Sequence, residues 1–400
     1  MSADAVLGLG GGIDWEVCWD ASALSRLADE LQIRSDELDR PGPVGSQRDL
    51  AISILSHLRA GSGGEHHADT PVITEFAARF DYRATLGGTG VRAAIAMDTV
   101  GLPATVHLAA ASPELVALLP SRTDHIAGGR LEHSEPHLIM QFPTGATVRL
   151  GTEDTVAPAA NRLIYTGDSA SQDFGLSPDL PETLATARIF LISGFNAIPS
   201  EDVALRRADD LEAAMSRLPT GATVIYEDAG FHHPGLSRVV RDRLAGHVDI
   251  YSLNEDELAA YLGRRVDLLD PDDLGSALDE LHHCVDVAAV ILHTQHFAVA
   301  HGKNVKVLGP ALDWGVAMAS ARYVYGDQLT REQLNTLRAT VPRRADVTAL
   351  LQALEERSGG CTAGVAAYAF GDVSEPTTIG LGDFFIGGVI AGLLLEPGRR

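Results

Sequence analysis

The feature that most constrains this chain is a series of short apolar segments alternating with amphipathic ones. ATVHLA (104–109), ARIFLISGF (187–195), ATVIYEDA (222–229), VDIYSLN (248–254) and AAVILHT (288–294) are dominated by β-branched and apolar residues. Near-continuous apolar runs of this length predict strands buried on both faces. SEDVALRRADDLEAAMSRL (200–218) and PGLSRVVRDRLAGH (234–247) lie between them and carry helical patterning. NEDELAAYLG opens on a capping asparagine and closes on glycine, the ordinary punctuation of a helix. Strand, helix, strand at this interval predicts βαβ units: an α/β protein whose parallel sheet is covered on both faces.

Two regions break the rhythm. HLIMQFPTGATVRLG (137–151) predicts a hairpin turning at Pro-Thr-Gly, and NRLIYTGDSA (161–170) a further short strand. With parts of 13–86 they predict a small sheet set apart from the main one. RPGPVGSQ (40–47) and AGSGGEHHADTP (60–71) read as flexible loops by composition. A length of 400 residues exceeds the usual single domain, so one large domain and a smaller accessory one are expected.

Charge and cysteines exclude several partners. A formal net charge of -23 repels nucleic-acid phosphates and anionic membranes. Cys18, Cys284 and Cys361 are far apart and form no CxxC pair, which suits a reducing compartment and offers no disulfide framework. The longest apolar run, Phe384 to Leu395, is too short to span a bilayer. With no secretory pattern at the N-terminus, a cytoplasmic protein is expected, as a monomer or small homo-oligomer.

The chemistry concentrates at strand ends. Gly380-Leu381-Gly382-Asp383 precedes an apolar helical run. A Gly-x-Gly turn at a helix N-terminus exposes amides and partial positive charge that can hold a transferring phosphate. Asp383 would there accept a proton from an attacking hydroxyl. The plainer reading makes Asp383 an N-cap and the glycines a tight turn. Asn254 and Glu257 share a helix face at the end of a predicted strand, and Glu227 closes TVIYE. An amide and two carboxylates suit an octahedral Mg²⁺ that keeps several waters, while Asn followed by Glu three residues later is also a capping box.

Taken in order, these motifs resemble the ADP-dependent glucokinase/phosphofructokinase family, a branch of the ribokinase-like kinases. GGGID (10–14) is similar to the family's first strand, ending in a sugar-binding aspartate, here Asp14. LGGTG (86–90) resembles its Gly-Gly turn near the sugar, with Gly87, Gly88 and Thr89. HLIMQFPTG and NRLIY resemble its lid strands, VIYEDAG carries its glutamate, LNEDEL its Asn-x-x-Glu motif, and GLGD its anion hole and base.

The resemblance implies a ribokinase-like three-layer αβα sandwich, mainly 87–130 and 176–400, with a small β-rich lid from about 13–86 and 131–175. It implies transfer of the β-phosphate of ADP to a hydroxyl of a sugar or sugar phosphate, glucose or fructose 6-phosphate, leaving AMP. Asp383 would be the base and Gly380, Leu381 and Gly382 the anion hole. Glu227, Asn254 and Glu257 would organise Mg²⁺, and Asn254, His293 and Gly382 would meet the nucleotide. Segment 341–351 is a further candidate for the nucleotide wall.

Three departures stand out. Gly12 occupies a position usually held by asparagine, Thr89 one usually held by glutamine in glucose-specific members, and DAG follows Glu227 where alanine-serine is commoner. They leave the choice of sugar open. Arg83, Arg92 and Arg162 lie near the sugar motifs as cations for a substrate phosphate, with surface solvation an equal reading for Arg83 and Arg92. The remaining alternatives are an ATP-dependent carbohydrate kinase and a non-catalytic sugar-binding regulator on the same fold.

Other motifs rank lower. Gly88 to Ala93 matches G-x-G-x-x-A, but DYRATL is a poor buried first strand for dinucleotide binding. The histidine pairs at 66/67, 232/233 and 282/283, and His293 with His296, form no HExxH, and His293 also reads as a satisfied strand-end residue. No Walker A sequence occurs.

Overall fold

The computed structural model describes residues 4–231, 233–373 and 376–396. In chain order its strands are β1 (Ala5–Leu7), β2 (Gly12–Val17), β3 (Gly64–His67), β4 (Tyr82–Gly87), β5 (Ala104–Leu108), β6 (Thr123–Ala127), β7 (His137–Phe142) and β8 (Thr147–Leu150). There follow β9 (Glu153–Val156), β10 (Asn161–Thr166), β11 (Ile189–Ile192), β12 (Thr223–Glu227), β13 (Ile250–Asn254), β14 (Ala289–His293), β15 (Phe297–Gly302) and β16 (Thr362–Ala366).

Nine strands form the main sheet in the order β16-β15-β14-β13-β12-β11-β1-β5-β6. Neighbours pair parallel except around β15, which runs against both β14 and β16. Alternate residues of one strand feed opposite cores: Ala5 and Leu7 enter one apolar cluster and Val6 the other. That two-sided burial explains the unbroken apolar runs and makes a three-layer αβα sandwich. The helices Glu201–Met215, Pro234–Leu244 and Pro271–Val285 cover one face.

On the other face lie Thr89–Thr99, Gly309–Tyr325 and Leu381–Leu395. Leu381–Leu395 is apolar all round because it is wedged between the other two. A side chain at Gly387 would meet the Ala93 carbonyl at 2.7 Å, and one at Gly388 the Trp314 carbonyl at 2.6 Å. This packing fixes the helix that carries Asp383.

A second sheet, β3-β10-β7-β2-β4, has its own apolar cluster beneath helices Gln47–Ala60 and Thr70–Ala77. Four sequence expectations change here. Strand β8 pairs only with β9, not with β7, so 137–151 is no hairpin; both edges of β7 are occupied by β10 and β2. Residues 64–67, expected as loop, form the edge strand β3, held by parallel pairing to β10 whatever its composition. Asp14 sits inside β2 of the small sheet; the first strand of the large sheet is β1, outside the segments expected for it. The antiparallel strands β15 and β16 were not foreseen. Among the described residues, no helix is long and apolar enough to cross a membrane.

Candidate active site

A cleft of about 1460 Å³ lies between the small sheet and the ends of β11 to β14. Asp14, Gly88, Thr89, Arg162, Glu227, Asn254, Glu257, His293 and Gly380 to Asp383 all line it. Gly87 does not. It serves from behind: a Cβ there would stand 2.2 Å from Asp14 Oδ1.

Gly380 adopts φ 71° as the N-cap of Leu381–Leu395, a conformation that favours glycine, and the chain enters the helix from there. The first-turn amides of a helix lack intrahelical acceptors and face this end. Asp383 is in that first turn rather than at the cap, so the capping reading of it fails. Burial pushes its carboxyl up, opposed by the Arg92 charge and a Thr89 hydrogen bond.

Asp14 belongs to a buried polar network. Arg92 Nη2 donates to its Oδ2 at 2.8 Å, and His137 Nδ1 lies 3.2 Å from its Oδ1. His137 Nε2 in turn meets Asp168 Oδ2 at 2.8 Å. Burial works against ionising Asp14, yet the His137 hydrogen bond and Arg92 hold its carboxyl below the usual range. Burial also disfavours the His137 imidazolium, but hydrogen bonds to Asp14 and Asp168 raise its pKa to about 10.

Sequence reasoning missed His137 and Asp168 altogether. A polar residue opening a strand (His137) and an aspartate before a short helix (Asp168) were the only signals. Arg92 is buried and bound by carboxylates, which removes the surface reading. Arg83 is held by Glu16 and Asp327. Of the three arginines considered for a substrate phosphate, Arg162 remains, reaching the cleft from β10.

Across the cleft, Asn254 caps the helix Glu255–Leu262, accepting from Asp256 and Glu257 amides at 2.9 and 3.0 Å. Glu257 Oε2 accepts from the Asn254 amide at 2.8 Å, so the capping box is real. The cap takes both lone pairs of Asn254 Oδ1 but only one oxygen of Glu257, so the capping box leaves Glu257 Oε1 for a cation. Glu227 Oε1 meets His293 Nε2 at 2.9 Å while its Oε2 is buried without a partner.

Burial, with the nearby Asp228 and Glu227 charges, pushes Glu257 up to about 8. An orphaned buried carboxylate oxygen beside crowded like charges fits a divalent cation. The donors are carboxylate oxygens, the kind Mg²⁺ takes, and among the described residues no three His, Cys, Asp or Glu side chains are placed to enclose an ion. His293 Nε2 is satisfied by Glu227, and its ring lies 4.8 Å from that of Phe385. Arg344 and Asp346, from the segment expected at the nucleotide wall, line the cleft. His232 lies outside the described residues. The three cysteines are free and exposed.

A helix-borne carboxylate facing oxygen donors over the ends of a parallel sheet suits phosphoryl transfer to a hydroxyl, the chemistry of a small-molecule kinase. Residues 5–340 match the model of the ADP-specific phosphofructokinase/glucokinase conserved region, and the chain belongs to that family of ADP-dependent sugar kinases. The resemblance read from the sequence is therefore borne out. A phosphofructokinase from Pyrococcus horikoshii OT3, solved with AMP, aligns over 100% of this chain and 99% of that one (15% identity, TM-score 0.79). A hypothetical ADP-dependent phosphofructokinase from the same organism has the same coverage (17% identity, TM-score 0.77). An ADP-dependent kinase in complex with fructose-6-phosphate and ADPbetaS covers 100% and 95% (15% identity, TM-score 0.74). Comparison with the curated proteins finds no match.

Proposed function

We propose that this protein transfers the β-phosphoryl group of ADP to a hydroxyl of glucose or fructose 6-phosphate, with Mg²⁺, releasing AMP. The observation that carries the reading is Asp383 in the first turn of a buried helix, at the cleft, behind a left-handed glycine. Asp14 accepts from a sugar hydroxyl and orients the acceptor. Asp383 takes the proton of the attacking hydroxyl as its oxygen bonds to the β-phosphorus and the bridge to the α-phosphate breaks. The first-turn amides from Leu381 on hold the charge on the transferring group. Glu227 and Glu257 would hold Mg²⁺ through water, with Asn254 anchoring Glu257 by the capping box, and the ion would neutralise phosphate charge. The small sheet acts as a lid that excludes water from the nucleotide.

ADP is the donor because the family is ADP-specific. Fructose 6-phosphate is the first acceptor to test, since Arg162 supplies a cation in the cleft and the solved relative holds that sugar phosphate. The test is AMP release from ADP and Mg²⁺ against a panel of sugars and sugar phosphates. Turnover that depends on one acceptor, and falls about 10²–10⁴-fold in Asp383→Asn, is expected. Full activity in Asp383→Asn removes the base assignment.

A further inference from the structure

One buried cation touches both carboxylates that the reaction uses. Arg92 extends from the first turn of Thr89–Thr99 and is 4% exposed. Its Nη2 lies 2.8 Å from Asp14 Oδ2 and 3.6 Å from Glu16 Oε1, and its Nε lies 3.9 Å from Asp383 Oδ2. The guanidinium also occupies the space a side chain at Gly380 would need: a Cβ there would be 2.8 Å from Arg92 Nη1 and 2.9 Å from its Cδ. Arg92 is thus wedged between the sugar-side aspartate and the turn that presents the base. A buried arginine can serve stability alone, but this one bridges a carboxylate on the small sheet and one on the helix Leu381–Leu395, and it lines the cleft itself.

We propose that Arg92 is a positioning residue for phosphoryl transfer: it holds Asp383 as the carboxylate and fixes its place relative to Asp14. The proposal rests on Asp383 being the base. Asp383 is faced by Arg92 and Thr89 from one helix, Arg162 from β10, Glu65 from β3 and Glu227 from β12. Burial and the Glu227 charge favour its protonated form, and Arg92 is the stronger of the two opposing cations. Without Arg92, Asp383 holds its proton to higher pH and loses one wall of its site. A lysine would restore the point charge but not the planar fork that reaches two carboxylates.

The experiment is the pH profile of kcat and kcat/KM for AMP formation by Arg92→Met and Arg92→Lys, with folding checked by circular dichroism. In Arg92→Met the acid limb moves up by about one unit or more, and kcat falls more than KM for ADP rises. Arg92→Lys brings the limb back toward wild type while kcat stays low. An unmoved limb in folded Arg92→Met, or equal limbs in both variants, overturns the proposal. If the methionine variant does not fold, Arg92→Gln, which keeps hydrogen-bond donors without charge, takes its place under the same criteria. Asp383→Asn separates the two readings: an inactive Asp383→Asn beside an unmoved Arg92 limb rejects positioning alone, whereas an active Asp383→Asn rejects the base.

Discussion

His137→Gln tests whether the Asp14 network is held by a charged imidazole. Both ring nitrogens of His137 lie against carboxylates, at 3.2 Å to Asp14 and 2.8 Å to Asp168. Two acceptors need two N–H donors, so the ring is imidazolium. Its pKa rises from 6.5 to about 10, the Asp14 and Asp168 hydrogen bonds and charges outweighing burial. The folded state therefore binds this proton more tightly than the unfolded chain. Its stabilisation is complete below pH 6.5 and declines as pH rises toward 10. From pH 6.5 to 9.5, at about 1.36 kcal/mol per unit, the loss is about 4 kcal/mol. The lowered pKa values of Asp14 and Asp168 are the same interactions seen from the carboxylates and add nothing further. Urea denaturation of wild type and His137→Gln at the two pH values measures it. The wild type should lose about 4 kcal/mol more than the variant across that interval. Identical pH slopes would mean a neutral His137 and would refute the charged-network argument.

Two further substitutions probe the sugar side. Gly87→Ala drives a methyl to 2.2 Å from Asp14 Oδ1, a carboxylate already pinned by Arg92 and His137. Acceptor kcat/KM should fall about 100-fold, whereas Gly235→Ala, where a Cβ meets nothing within 4 Å, should leave kinetics unchanged. Arg162→Ala should raise KM for fructose 6-phosphate about 10–100-fold, the worth of a charged hydrogen bond, and leave glucose untouched. Steady-state assays with each acceptor read both, and equal effects on the two sugars would remove Arg162 from phosphate recognition.

The elements most legible in sequence were those whose chemistry is local. β11 to β14 announce themselves because burial on both faces leaves no polar alternation to confuse the pattern. The GLGD turn and the Asn254–Glu257 capping box complete their geometry within four residues. β3 was illegible, since GEHH is a strand only by leave of β10, as were β15 and β16, rich in glycine and alanine. The hairpin at 137–151 misled because a turn signal says where the chain reverses, not which edge is free.

By itself the sequence determined the αβα core, the family, and the residues at strand ends and at one helix start, all set by short-range periodicity and turn chemistry. Only the tertiary structure decided what those residues touch. Arg92 meets Asp14 from 78 positions away, His137 meets it from 123, and Asp168 meets His137 from 31. Their charge states follow from burial and from partners that the small sheet and the helix Thr89–Thr99 bring together. Desolvation and pairing are properties of a place in space, and no local pattern carries them.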